Sequence, residues 1–120
     1  RLDKAKINLE LCREILIDLP EFTNIYWHPL LDYQKALIYF INGDLDKSLE
    51  LVNDCILNYS AELDTQLGYA FLLRGNILDL KNKRSLAKLD YKEVIKLDNY
   101  TMAIELSKKY LQQPYLNSNN

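Results

Sequence analysis

Phe71-Leu72-Leu73-Arg74-Gly75-Asn76-Ile77-Leu78, followed by Ala87, Tyr91 and Val94, decides how this chain is read. The first stretch sets a glycine among large apolar residues. The second has a small residue, a large apolar one four positions on, and a medium one three later. A notch beside two knobs on one helical face lets a neighbouring helix approach closely. Ser48, Val52 and Cys55 carry the same pattern earlier in the chain, and Ala5, Leu9 and Cys12 carry it again near the start. The tight turns at Asn42-Gly43 and Asn82 each precede a notch by five or six positions, and the spacing from Gly43 to Asn82 is 39 residues, five more than the roughly 34-residue helix-turn-helix period.

Outward from these stretches the periodicity is helical throughout. Leu2, Ala5, Leu9, Cys12, Ile15 and Leu16 place one apolar face on a first helix, which Pro20 ends. Glu21 to His28 reads as a connector, with Pro29 at the first position of a second helix that runs to about Asn42. Gly43 suits a left-handed cap and Asp44 the next N-terminus. Leu45 to Tyr59 is the third helix and Ser60 to Asp64 a turn; the fourth helix runs from about Thr65 to Lys81. Asn82 makes the next turn, since Asn tolerates the left-handed conformation. The fifth helix carries Leu86 to Leu97, Asp98-Asn99 breaks it, and a short sixth spans about Thr101 to Gln112. The expected fold is all-α, an antiparallel helix-turn-helix array of about six helices.

Composition narrows the function classes. With 120 residues, 48% of them hydrophobic and 27% charged, the chain is one domain's worth of globular sequence. A net charge of −2 gives no whole-chain attraction for nucleic acid or an anionic membrane. One His and 2 Cys nearly exclude a zinc site built on those ligands. Cys12 and Cys55 read as buried thiols of a reducing compartment. With no signal-like or membrane-spanning segment in this piece, a cytoplasmic location is favoured. The start, which lacks an initiator Met, reads as the cut edge of something longer.

The stretch from Phe71 to Asn99 resembles the tetratricopeptide repeat family. Gly75 fills the small slot of the first helix, Leu78 an aromatic slot, Ala87 the notch and Tyr91 the aromatic knob. Arg74 stands where the motif prefers Leu, and Asn99 where it prefers Pro. A weaker copy has Ala36, Tyr39, Ser48, Val52 and Cys55 in these slots, with Asp32 and Lys35 departing from the pattern. The resemblance implies an α-solenoid domain over residues 1–112. Its parts are a partial repeat at 1–20, repeats at 29–62 and 68–101, a capping helix at 101–112, and a flexible tail at 113–120. The ending Lys108 to Tyr115 is also similar to endings where such repeats close a larger bacterial protein.

In this family the first helices line a concave groove that holds a peptide. The resemblance puts Leu30, Tyr33, Leu37, Phe40, Tyr69, Leu72, Asn76 and Asp79 on it. None is Lys or Arg, so a clamp for a terminal carboxylate is excluded. An apolar, tyrosine-rich groove suits an apolar helix or strand; the alternative occupant is the chain's own terminal helix.

Charge is unevenly divided: residues 1–66 carry −6 and residues 67–120 carry +4. Arg84, Lys88, Lys92 and Lys96 form a slanted basic stripe, and Asp44, Asp46, Glu50 and Asp54 an acidic counterpart. These read as solvated faces or as an electrostatic docking pair. Catalysis finds little support: His28 is a lone imidazole, Cys12 and Cys55 occupy packing slots, and no Gly-rich phosphate loop is present.

The expectation is therefore a non-catalytic protein–protein interaction module, without cofactor or metal, that binds a peptide or protein and neither nucleic acid nor membrane. The second expectation is a structural or oligomerisation element closing a larger protein, which can itself be an enzyme. In that case the open N-terminal end exposes an apolar flank for the rest of the chain or for a second copy.

Overall fold

Two tight turns organise the helices, and both are built alike. At the first, Gly43 takes a φ of 84°. Its N–H donates to the Phe40 carbonyl at 3.1 Å, and the Asp44 N–H donates to the Tyr39 carbonyl at 2.9 Å. At the second, Asn82 takes a φ of 62°. There the Asn82 N–H donates to the Asp79 carbonyl at 3.0 Å and the Lys83 N–H to the Leu78 carbonyl at 2.8 Å. Each pair of bonds satisfies the last carbonyls of one helix while the left-handed residue turns the chain. Asp44 then caps the following helix, accepting from the Lys47 N–H at 3.1 Å. Lys83, at the equivalent position, supplies no side-chain cap.

The computed structural model describes residues 2–17, 21–59, 64–99 and 101–116. Among the described residues there are six helices and no strand: α1 (Leu2–Ile17), α2 (Glu21–Ile41), α3 (Leu45–Asn58), α4 (Asp64–Leu80), α5 (Arg84–Leu97) and α6 (Met102–Gln112). The chain divides into two compact units, Arg1–Ala61 and Glu62–Asn120. None of the described helices is long and apolar enough to cross a membrane.

In the first unit α2 and α3 form a helical hairpin, with Ala36, Ser48, Val52 and Cys55 fully buried. The Ser48 hydroxyl donates to the Ala36 carbonyl at 2.6 Å. Only small residues at both places bring a side chain that close to the backbone of the facing helix. α1 packs on α2, where the Glu10 carboxylate pairs with the largely buried Lys35 amine. The Lys6 amine sits 4.2 Å from the centroid of the Tyr39 ring. Burial, with Lys47 contributing less, lowers the Lys35 pKa below its usual 10.5.

In the second unit α4 and α5 form the corresponding hairpin. Ala87, Tyr91 and Val94 are fully buried. Gly75 is required here: a Cβ on it would lie 2.5 Å from Cε1 of Tyr91. α6 closes the unit, adding Ala103 and Ile104 to a core of Leu72, Leu78, Ala87, Tyr91 and Val94. Asp98, with a φ of 48°, ends α5 at the expected break, its N–H on the Ile95 carbonyl.

Two expectations need correction or restriction. The connector expected over 21–28 is helical, and α2 runs through Pro29 to Ile41. Proline inside a helix removes one backbone bond and costs roughly 3 kcal/mol locally. Pro29 is fully buried, and packing of its ring is what the local rule omits. Pro20, expected to end α1, and most of the turn expected at 60–64 lie outside the described residues, as does the Cys12 side chain.

Candidate functional site

The second unit holds a polar junction built on Asp79, in the last turn of α4. Its side chain is only 1% exposed, and its carboxylate serves three groups, two on α5 and one beyond α6. Arg84, at the start of α5, places Nη1 3.1 and 3.0 Å from the two oxygens. The Tyr91 hydroxyl donates to Oδ2 at 2.7 Å. The Tyr115 N–H, beyond the end of α6, donates to the same oxygen at 2.9 Å. Arg84 Nη2 also donates to the Leu111 carbonyl at 3.1 Å, so one guanidinium ties the end of α4 to the end of α6.

Asn76 lies one turn before Asp79 on α4, with Oδ1 3.1 Å from the Tyr91 hydroxyl. That hydroxyl has one proton, which the shorter contact commits to Asp79. The Asn76 amide therefore serves it in the orientation that presents its NH2. Burial, and then the hydrogen bond to Asp79, raises the Tyr91 pKa, so this phenol stays neutral.

A ladder of rings continues outward from Tyr91. Tyr110 stands 5.7 Å from it, and Tyr115 meets Tyr110 edge-on at 5.3 Å and 83°. Tyr115, in the segment expected to be a flexible tail, makes a backbone hydrogen bond and a ring contact, and Gln113, Pro114 and Leu116 around it are exposed. With Lys109 and Tyr110 they line an open depression of about 500 Å³.

A second polar contact lies on the same hairpin. Arg74 donates to Asp90 in a two-bond fork, Nε to Oδ2 at 2.9 Å and Nη2 to Oδ1 at 2.8 Å. Burial raises the Asp90 pKa above 3.8 by more than Arg74 lowers it.

The residues expected on a groove divide by environment. Tyr33 and Leu72 are buried core residues rather than lining. Leu30, Leu37 and Phe40 on α2 are half-buried. Tyr69 is half-buried and packs against the core that α6 shares. Asn76 and Asp79 belong to the junction. Of the expected docking stripe, Arg84 is engaged by Asp79 and Leu111 and leaves the set. Lys88 and Lys92 are exposed, and Lys96 pairs with Glu93 at 3.2 Å on the surface.

Sequence reasoning missed the junction and the Arg74–Asp90 fork, though signals existed. Asp79 and Arg84 bracket a turn of only a few residues, and Arg74 occupies a slot where an apolar residue was expected. A cation in a packing slot needs a buried acid across the hairpin.

Among the described residues of the first unit, Cys55 is a free, buried thiol. Burial pushes it up to about 12, outweighing the Tyr59 hydroxyl beside it. That is the wrong direction for a nucleophile. Among the described residues, no group of three His, Cys, Asp or Glu side chains is gathered for a metal. The chain matches no family model, and no curated protein or solved structure shows significant similarity to it.

Proposed function

We propose that this chain is a non-catalytic protein-binding module of the tetratricopeptide type. The observation that carries the reading is the likeness of the two hairpins. Both have the same turn hydrogen bonds, and a single offset along the chain carries the buried Ser48, Val52 and Cys55 onto Ala87, Tyr91 and Val94. Burial also drives the Cys55 thiol and the Tyr91 phenol away from their reactive forms, which argues against either as a nucleophile.

The partner is a polypeptide with an apolar face, and its seat is α2, where Leu30, Leu37 and Phe40 follow one another at helical spacing and stay half-buried. The equivalent positions of α4 are Tyr69, Asn76 and Asp79, already engaged within their own unit. To test this, peptides are selected against the chain from a display library and their affinities measured for Leu30→Glu and Leu37→Glu. The reading expects at least a tenfold loss with helix content unchanged by circular dichroism. Equal affinity for the variants defeats it.

One observation favours the second reading, an assembly element closing a larger protein. Ile7 and Leu11, one turn apart on α1, are 60% and 52% exposed. Light scattering of Ile7→Glu against the unaltered chain separates the two. A dimer lost in the variant supports assembly, whereas a monomer in both leaves α2 as the working surface.

A further inference from the structure

The C-terminal segment is docked as a peptide ligand docks. Gln113 is extended, with φ −144° and ψ 139°. The next contacts are the Tyr115 N–H on the buried Asp79 carboxylate and the Tyr115 ring, edge-on, against Tyr110. Gln113, Pro114 and Leu116 are exposed, Leu116 by 76%. The segment is therefore anchored chiefly at one residue. By contrast the receptor side is rigidly built, because Asp79 is fixed by Arg84 and Tyr91, and Arg84 is fixed in turn by the Leu111 carbonyl.

We infer that Asp79 and Tyr110 form a receptor for an extended aromatic segment of a partner protein, which the chain's own Tyr115 occupies in cis as an autoinhibitory strap. The chemistry of the strap defines the partner. It presents a backbone N–H to a desolvated carboxylate, a charge-assisted bond. It places an aromatic ring edge-on to Tyr110, and an aliphatic residue follows. A preceding proline favours the extended backbone that such a segment needs. A tethered segment competes at millimolar effective concentration, so the intact chain takes the partner only when the strap is displaced. This site lies in the second unit and is independent of the α2 reading; Leu37→Glu leaves it unchanged.

The test keeps the full chain. Tyr115→Pro removes the donor N–H and the ring together, freeing the receptor without altering it. The probe is a fluorescein-labelled hexapeptide, Leu-Gln-Gln-Pro-Tyr-Leu, copied from residues 111–116. Binding to Tyr115→Pro at least tenfold tighter than to the unaltered chain is expected. The same peptide N-methylated at its tyrosine loses that binding.

Tyr110→Ala placed on Tyr115→Pro also loses it, with helix content unchanged. Equal, negligible binding to the unaltered chain and to a folded Tyr115→Pro overturns the proposal and makes the strap a structural cap only. A concentration-dependent dimer of the unaltered chain, abolished by Tyr115→Pro, overturns the assignment of a separate partner. The occupant is then the strap of a second copy.

Discussion

In the hairpin of α2 and α3 the small residue and the knob are Ala36 and Val52; in the hairpin of α4 and α5 they are Gly75 and Tyr91. The larger knob comes with the smaller partner, because the Tyr91 ring occupies the space where a Cβ on residue 75 would be. Part of the contrast follows from that exchange. At the same offset that relates Ala36 to Gly75, Leu37, Phe40, Leu45 and Leu51 correspond to Asn76, Asp79, Arg84 and Asp90. Tyrosine brings a hydroxyl that is costly to bury without a partner. Its acceptor is a carboxylate, and a buried carboxylate needs a cation and further donors. Arg84 and the Tyr115 N–H supply them. The Tyr91 hydroxyl thus sits in a polar junction that also holds the Tyr115 N–H, whereas the first hairpin has Val52 at that place and carries its buried charges, Asp32 and Lys35, elsewhere on α2.

The comparison breaks most readily at Asp79. Asp79→Leu gives the second hairpin the apolar character of the first at that position but strands Arg84 and the Tyr91 hydroxyl. A loss of about 3–5 kcal/mol is expected in urea unfolding, the range for removing one member of a buried ion pair. Adding Arg84→Met and Tyr91→Phe, which remove the stranded groups, should recover a large part of it. A single-variant loss below about 1 kcal/mol would mean that the junction contributes little.

Next comes the size match. Gly75→Ala forces a Cβ into the Tyr91 ring and should cost about 1–3 kcal/mol, despite the gain in helix propensity. Ala36→Gly, the reverse exchange, should cost only about 1 kcal/mol, the propensity difference. Equal effects at the two positions would remove the argument that notch and knob are matched within each hairpin.

A smaller effect sharpens the contrast between Leu51 and Asp90. Burial raises the Asp90 pKa, so between 3.8 and its folded value the native protein holds a proton the unfolded chain has released. The native state binds more protons in that window, and the Asp90 contribution to stability falls as pH rises through it. Carboxyl-carbon titration should show Asp90 with a midpoint above 3.8, and Asp90→Asn should abolish this component. A midpoint at or below 3.8 would mean that the Arg74 fork outweighs burial.

The least effect belongs to the surface. Lys96→Ala removes an exposed pair with Glu93 and should change stability by less than about 0.5 kcal/mol. A larger change in unfolding midpoint would give the basic stripe a structural role that its exposure does not suggest.

Much of the local structure could be read from residues with strong backbone preferences. Gly43 and Asn82 mark left-handed positions and each takes a positive φ, and the break read at Asp98-Asn99 falls where Asp98 does the same. Ser48, Ala87 and Gly75 mark close approaches, and each is buried. The start of α2 was not legible, because the cost of Pro29 is local while the packing that offsets it is not. The candidate site was legible only in part. Asn76 and Asp79 were singled out, but as open lining rather than as partners of Tyr91. Spacing along one helix gives the face on which a residue lies, and gives no indication of what covers that face.

By itself, then, the sequence determined six helices, two similar tight turns and the positions of the small and large residues in each hairpin. Backbone preference and side-chain size act over a few residues and survive in any tertiary setting. Only the tertiary structure decided that Asp79 is shared by Tyr91, Arg84 and the Tyr115 N–H, that Arg84 leaves the basic stripe, and that Tyr115 is anchored. Those outcomes depend on groups up to 36 residues apart sharing one desolvated carboxylate, and desolvation is a property of the packed core rather than of any stretch of chain.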